Sequence, residues 1–129
     1  MTDKHKVLLI GLGQMGISYA NILKSLNQQS INVGRSISSC EAFEKETGLQ
    51  AISGGLENYL VDDNKIDSAI IAVSEDQLSN CLDLLINHGV KRILIEKPGG
   101  TNYQSIIQSA TLASEKNADV FVGYNRRFY

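Results

Sequence analysis

The chain has 129 residues, a length that fits one domain and suffices for an ordinary hydrophobic core. Its 12 basic and 14 acidic residues give a net charge of −2 at pH 7, which argues against a nucleic-acid or anionic membrane partner. No apolar run approaches the ~20 residues of a membrane span, and Cys40 and Cys81 lack metal-ligand spacing, so we expect a cytoplasmic protein with reduced thiols and no bound metal.

Short apolar segments alternate with amphipathic segments from one end of the chain to the other. The apolar segments predict six strands, at residues 7–10, 31–33, 50–52, 69–73, 93–95 and 120–122. The segments between them predict five helices, at residues 16–26, 38–47, 56–60, 75–88 and 102–113. This alternation indicates an α/β fold, a Rossmann-type doubly wound parallel sheet in a three-layer αβα sandwich.

Polar residues predict where three of the helices begin. Capping boxes start at Ser38, Ser74 and Thr101, where a hydroxyl can accept a hydrogen bond from an amide of the first helical turn. In the last helix, helical spacing predicts an inward face made of Tyr103, Ile106, Ile107, Ala110 and Ala113.

A segment of the form GxGxxG joins the first strand to the first helix, which is the context of a dinucleotide site. Gly11 permits a tight turn, Gly13 a close approach of the backbone to a diphosphate, and Gly16 close packing of the helix on the sheet. The free amides and the dipole of the helix favour the diphosphate. The predicted cofactor contacts are Gly11, Leu12, Gly13, Gln14, Met15 and Gly16. A ligand-free turn and an S-adenosylmethionine site are the alternatives.

The end of the second strand predicts which dinucleotide binds. A carboxylate at this position holds the ribose hydroxyls of NAD, and residues 31–39 contain none. Arg35 and Ser36 offer a guanidinium and a hydroxyl, which suit a 2′-phosphate. We therefore predict NADP(H), with NAD(H) as second choice. In the alternative interpretation, Arg35 is a solvated loop residue.

The ends of the two later strands complete the predicted site. In an open parallel sheet the carboxyl ends of the strands face the ligand crevice, so Val73 and Ser74 are expected near the cofactor. Glu96 and Lys97 follow the next strand, where the nicotinamide ring and the substrate would meet. In the alternative interpretation, Lys97 is a surface lysine. His88 ends a predicted helix, and a cation there has a structural explanation.

The motifs GLGQMG, GRS, AVSEDQ, IEKPGG and GYNRRF, in this order, resemble the N-terminal half of the Gfo/Idh/MocA family of NAD(P)-dependent oxidoreductases. The resemblance covers essentially the whole chain and implies a Rossmann domain. It implies that Lys97 lies beside the nicotinamide and the substrate and assists hydride transfer at a sugar or cyclitol carbon. It also implies that Asn125 and Arg126 border the active site.

Three departures from the family pattern bear on function. A Thr-Pro pair and a nearby histidine are common in the family, and this chain has Val73-Ser74 and Leu78 instead. The usual acidic residue after the second strand is replaced by Gly34. The family's second domain, which supplies most of the substrate pocket and a His/Asp acid–base pair, is missing. The chain, residues 1–129, is therefore expected to be a single dinucleotide-binding domain and a fragment.

These observations favour the NADP(H)-binding domain of an oxidoreductase, which binds its cofactor without turnover and acts with a sugar or polyol as its small-molecule partner. A non-catalytic sensor or adaptor module and a methyltransferase are the alternatives. No nucleic-acid or membrane partner is expected. An uncovered apolar surface favours self-association through Phe121, Tyr124, Phe128 and Tyr129.

Overall fold

The computed structural model describes residues 5–62, 65–97 and 102–123 and contains five strands and five helices there. The strands are β1 (Val7–Ile10), β2 (Ser30–Val33), β3 (Ser68–Ile71), β4 (Arg92–Glu96) and β5 (Asp119–Gly123). The helices are α1 (Gln14–Ser25), α2 (Ile37–Thr47), α3 (Gly55–Leu60), α4 (Glu75–His88) and α5 (Tyr103–Glu115). The predicted α/β architecture is confirmed.

All strand pairs are parallel, and the sheet order is β2-β1-β3-β4-β5. The chain runs outward from β1 to β2 and then returns to place β3 on the other side of β1. The carboxyl ends of β1 and β3 therefore diverge into helices that leave in opposite directions, and this reversal of order is where open α/β sheets bind ligands.

The side chains of β1 alternate between two apolar layers, as expected of a strand buried on both faces. Leu8 and Ile10 belong to a cluster that includes the buried face of α4. Val7 and Leu9 belong to a second cluster, which contains Phe43 of α2. Helices thus cover both faces of the sheet, which gives the three-layer sandwich.

The strand predicted at residues 50–52 is reduced to one bridge, between Ile52 and Val33. Ile52 donates its amide to the Asn32 carbonyl at 2.8 Å and accepts from the Gly34 amide at 2.9 Å. Gly54 then has a φ of 106°, in the left-handed region, which turns the chain away from the sheet edge. The pairing ends because of this turn.

Two predicted caps are wrong by one or two residues. Ser36, not Ser38, begins α2, because its hydroxyl accepts from the Ser39 amide at 3.1 Å. Asn102 begins α5, because its side chain accepts from the Ser105 amide at 2.8 Å, and the predicted cap Thr101 lies outside the described residues. Each observed cap has the side-chain oxygen that the first amides of its helix require.

The predicted inward face of α5 is also wrong in part. Tyr103 is 79% exposed, Ile107 is 46% exposed, and Ala110 is exposed. The buried residues are Ala113 and Ser109. Ser109 donates its hydroxyl to the Asp83 carboxylate of α4 at 2.9 Å, a polar contact of the buried face that hydrophobic spacing does not reveal.

None of the helices in the described ranges is long and apolar enough to cross a membrane. Cys40 and Cys81 are buried free thiols.

The contrast between two phenylalanines tests the packing. Phe43 is fully buried and Phe121 on the edge strand is 61% exposed. We expect Phe43→Ala to lower the free energy of unfolding by about 3–5 kcal/mol, because it removes a core side chain and leaves a cavity. Phe121→Ala, the matched control, should change it by less than about 1 kcal/mol. Urea unfolding followed by circular dichroism measures both, and equal losses would contradict this packing.

Candidate functional site

A cavity of about 280 Å³ opens at the carboxyl ends of β1, β2 and β3, at the reversal of strand order. The structure brings together on it several residues that the sequence predicted to contact a cofactor: Gly11, Leu12, Gly13, Arg35, Val73 and Ser74. The predicted residues Gln14, Met15, Gly16, Ser36, Glu96 and Lys97 lie outside its lining.

The turn from β1 into α1 is possible only with glycine at two positions. Gly11 has a φ of 98°, and a Cβ there would lie 2.4 Å from the Ala72 carbonyl oxygen. A Cβ on Gly16 would lie 1.9 Å from the Gly11 carbonyl oxygen. Distances this short are contacts that no side chain can make, so both positions require glycine. Gly11 permits the tight turn as predicted, whereas Gly16 contacts the backbone of the turn, where packing on the sheet was predicted.

Gly13 differs from the other two glycines because a Cβ would meet no heavy atom within 4 Å. It is exposed and precedes the first residue of α1. No side chain caps this helix, and its first turn contains no acidic residue. The first amides of α1 therefore face open space beside the cavity, where an anionic group fits without any displacement of protein atoms.

Arg35 is the second residue after β2 and lines the same cavity. It is exposed and makes no ion pair with any described residue. The next residue, Ser36, caps α2, and its hydroxyl contacts those of Ser38 at 3.2 Å and Ser39 at 3.0 Å. A guanidinium thus stands beside a helix N-terminus with three hydroxyls, a combination that suits an anion.

Sequence reasoning missed Glu57, which lines the cavity close to Arg35. Glu57 lies in the first turn of α3, which the chain reaches only after the turn at Gly54 and Gly55. The single available signal was its position shortly after a pair of glycines.

Glu57 and Arg35 both affect the pKa of the buried Cys81 thiol, which lines the same cavity. The pKa of Cys81 is raised to about 11, mainly by burial and to a smaller extent by the Glu57 carboxylate, while the Arg35 guanidinium lowers it. The thiol of Cys81 therefore remains protonated and uncharged at physiological pH where it lines the cavity.

Two further predicted residues line the side of the cavity formed by β3 and α4. Val73 is half-buried and packs against the core, and Ser74 is exposed and precedes α4. The hydroxyl of Ser74 donates to the Asp76 carboxylate at 2.7 Å and makes no cap. Leu78, which stands where relatives often have histidine, is buried in the core.

Glu96 does not face the cavity. Its carboxylate accepts a hydrogen bond from the Tyr19 hydroxyl of α1, and both side chains are partly buried. Gly123 at the end of β5 leaves room for this pair, because a Cβ there would lie 3.3 Å from the Tyr19 oxygen. Sequence reasoning did not connect Tyr19 with Glu96, since 77 positions separate them.

Burial, followed by the hydrogen bond and the negative charge of Glu96, raises the pKa of Tyr19 well above its usual value. The phenol therefore remains protonated and donating throughout the physiological range, which fixes the carboxylate at the end of β4.

Lys97 is the first residue after β4 and is exposed at the carboxyl edge of the sheet. It is adjacent in sequence to the anchored Glu96. Asn125 and Arg126 lie outside the described residues, as do Tyr124, Phe128 and Tyr129 of the predicted apolar surface.

A second cavity, of about 750 Å³, lies at the opposite, amino edge of the sheet and is lined by His5, His88 and several cations. His5 lies 3.3 Å from the Asp67 carboxylate and 2.9 Å from the Ser68 hydroxyl. The ammonium of Lys91 donates to the Lys116 carbonyl at 2.6 Å. His5 and Lys91 thus have protein partners, and the cavity is remote from the strand ends that bind ligands in this architecture.

Among the residues that the structure describes, no group of three or more histidine, cysteine, aspartate or glutamate side chains is placed to hold a metal ion.

The chain matches the family model of the Gfo/Idh/MocA oxidoreductases, an oxidoreductase family with an NAD-binding Rossmann fold, over residues 5–124. The match spans nearly the whole chain, so the chain belongs to the Gfo/Idh/MocA family, as its motifs indicated. No curated protein is significantly similar to it in sequence.

Solved structures share the fold at low sequence identity. The WlbA dehydrogenase from Chromobacterium violaceum, in complex with NADH and UDP-GlcNAcA, has a TM-score of 0.78 and 19% identity over 98% of this chain and 37% of its own. The scyllo-inositol dehydrogenase from Lactobacillus casei, with NAD(H) and scyllo-inositol, has a TM-score of 0.77 and 21% identity over 98% and 38%.

The biliverdin reductase from Synechocystis sp. PCC 6803, with biliverdin and NADP+, has a TM-score of 0.76 and 20% identity over 91% of this chain and 37% of its own. The chain spans little more than a third of the length of each of these solved structures.

The hydrogen bond between Tyr19 and Glu96 makes stability depend on pH. We expect Tyr19→Phe to lower the free energy of unfolding at pH 7 by about 1–3 kcal/mol, because a partly buried carboxylate loses its donor. The pKa of Tyr19 is higher in the folded chain than in the unfolded chain, where it is about 10. The resulting stabilisation is fully present below about pH 10 and is lost as the pH rises from there towards the pKa of the folded state. Wild type and variant should therefore converge in stability above about pH 10.

Urea unfolding at pH 7 to 11 measures this difference. Tyr103→Phe, at an exposed tyrosine, is the matched control and should change stability by less than about 0.5 kcal/mol at pH 7. A constant difference between wild type and Tyr19→Phe across the whole pH range would refute the role given to the phenol.

Proposed function

We propose that this member of the Gfo/Idh/MocA family is the dinucleotide-binding domain of an oxidoreductase that prefers NADP(H). The complete enzyme would pass a hydride between the nicotinamide and a carbinol or carbonyl carbon of a sugar or cyclitol. Solved proteins of the same fold carry NADH, NAD(H) or NADP+ and include an inositol dehydrogenase and a nucleotide-sugar complex, which supports this class of cofactor and substrate.

The observation that carries the proposal is the open start of α1. A diphosphate needs several amide donors and close approach to the backbone. The space beside Gly13 supplies both, because no protein atom occupies the position of a Cβ and no side chain caps the helix. Gly11 and Gly16, in contrast, are packed closely against backbone oxygens.

The preference for NADP(H) rests on Arg35 and on the start of α2. A 2′-phosphate carries negative charge that a guanidinium binds through charge-assisted hydrogen bonds. Arg35 is exposed at the cavity and lacks an ion-pair partner among the described residues, so its guanidinium is available. The hydroxyls of Ser36 and Ser39 and the dipole of α2 add to the attraction.

Lys97 would act at the other end of the cofactor. The nicotinamide supplies the hydride acceptor or donor when it is bound. The ammonium of Lys97 at the edge of the sheet would polarise or orient the reacting oxygen of the substrate. Asn125 and Arg126 would border the same region. The chain spans little more than a third of the length of the related structures. The remaining substrate contacts and the acid–base pair would therefore come from residues outside this chain. The chain alone would bind cofactor without turnover.

Gly13→Ala separates a ligand-binding role from a structural one. The added methyl group meets no protein atom, so the free energy of unfolding should change by no more than about 1 kcal/mol. It occupies the space beside the amides, so the dissociation constants of NADPH and NADH should each rise by about tenfold or more. Nucleotide fluorescence titration and urea unfolding measure the two effects.

Gly11→Ala is the control for a packed glycine and should destabilise the fold strongly, since its Cβ would overlap the Ala72 carbonyl. Unchanged nucleotide affinity in a folded Gly13→Ala variant would refute a diphosphate site at this turn.

Arg35→Ala tests the choice of cofactor. Loss of charge-assisted hydrogen bonds should weaken NADPH binding by about 10- to 100-fold and leave NADH binding within about twofold. Arg92→Ala, at an exposed arginine on the opposite edge of the sheet, is the matched control. Tighter binding of NADH than of NADPH by the wild-type chain would contradict the preference, and binding of S-adenosylmethionine in place of both would contradict the proposed cofactor class.

A further inference from the structure

One acidic residue lines the cavity, although the sequence of β2 and the residues after it provide none. In the dinucleotide-binding fold, an acidic residue after the second strand accepts hydrogen bonds from the adenosine ribose and disfavours a 2′-phosphate. Residues 31–39 have no acidic side chain, and Arg35 stands at this point. The structure supplies the carboxylate from a different element, because Glu57 of α3 lines the same cavity.

The start of α3 is fastened to the end of β2. The Gly54 amide donates to the Arg35 carbonyl at 3.1 Å, and the Gly55 amide donates to the Gly34 carbonyl at 2.9 Å. Gly54 and Gly55 both have φ angles in the left-handed region, at 106° and 84°. These two hydrogen bonds hold the first turn of α3, and with it Glu57, beside Arg35.

The two charges are close without forming a contact ion pair. The position of a Cβ on Gly55 is 3.8 Å from a Glu57 carboxylate oxygen and 3.9 Å from the Arg35 Nε. The two atoms therefore lie within about 8 Å of each other, and no ion pair of 4.0 Å or less joins these residues. Gly55 has no side chain to fill the space between them, and both charged residues line the cavity.

A structural explanation of Glu57 also exists. An acidic residue in the first turn of a helix interacts favourably with the helix dipole, and Glu57 occupies this position in α3. This explanation predicts an effect on stability and none on the choice between two dinucleotides. The two explanations can therefore be separated by measuring binding.

We infer that Glu57 is a specificity-determining residue that opposes the 2′-phosphate and accepts a hydrogen bond from the adenosine ribose, so that the site binds NAD(H) as well as NADP(H). This inference rests on the proposed dinucleotide site. Arg35 attracts the phosphate of NADP(H), and Glu57 limits that attraction. The chain should therefore show a moderate preference for NADP(H) in place of exclusive binding.

Glu57→Gln tests the inference because it removes the charge and keeps the size of the side chain. Loss of repulsion should tighten NADPH binding by about three- to tenfold, and loss of a carboxylate acceptor should weaken NADH binding by a similar factor. The tightening of NADPH binding should shrink at 0.5 M salt, since salt screens an exposed charge. Glu115→Gln, at an exposed glutamate of α5, is the matched control and should change neither affinity.

The outcomes separate this inference from the proposed function. Failure of the wild-type chain to bind either dinucleotide would overturn both. Binding of both dinucleotides by wild type, with unchanged affinities in Glu57→Gln, would overturn only the role of Glu57. Equal weakening of both cofactors together with a lower melting temperature would assign Glu57 to the stability of α3 and would likewise overturn the inference.

Discussion

The site depends on how closely α1 approaches the ends of β1 and β3. Side chains at Gly11 or Gly16 would overlap backbone oxygens at 2.4 Å and 1.9 Å, so the strand, the turn and the helix fit together only as bare backbone. This fit places the first amides of α1 beside the cavity at the reversal of strand order. Because the same contacts hold the fold and orient the amides, changes at these two positions cannot separate stability from binding, whereas Gly13 can.

The functional surface runs along the carboxyl edge of the sheet and changes character from one end to the other. At the outer end, Arg35, Glu57 and the start of α2 provide charges of both signs, which suit the polar adenosine end of a dinucleotide. Toward β4, the hydrogen bond from Tyr19 to Glu96 joins α1 to the strand that precedes Lys97. The helix that begins at the glycine turn is thus tied to the strand end where the chemistry would occur.

Much of this arrangement follows from local sequence, and the rest depends on distant contacts. Apolar runs buried on both faces predicted β1, β3 and β4 because a strand between two helix layers leaves no polar face. The glycine turn was predicted because its motif is contiguous in the sequence, although the Ala72 oxygen that excludes a Cβ on Gly11 belongs to a distant part of the chain. Glu57 could not be predicted as part of the site, since its position depends on hydrogen bonds from Gly54 and Gly55 to the end of β2.

The contacts that sequence reasoning missed share a physical cause. Tyr19 with Glu96, and Ser109 with Asp83, are partly buried polar pairs between elements far apart in the chain. A buried polar group without a partner destabilises a fold, so each member restricts its element to the orientation in which the pair forms. Hydrophobic periodicity describes only the apolar share of packing, and it therefore misplaced the face of α5. Tyr19 is important for the same reason. Its neutral phenol holds the Glu96 carboxylate in an orientation away from the cavity. The adjacent Lys97 is then the exposed charged side chain at the end of β4.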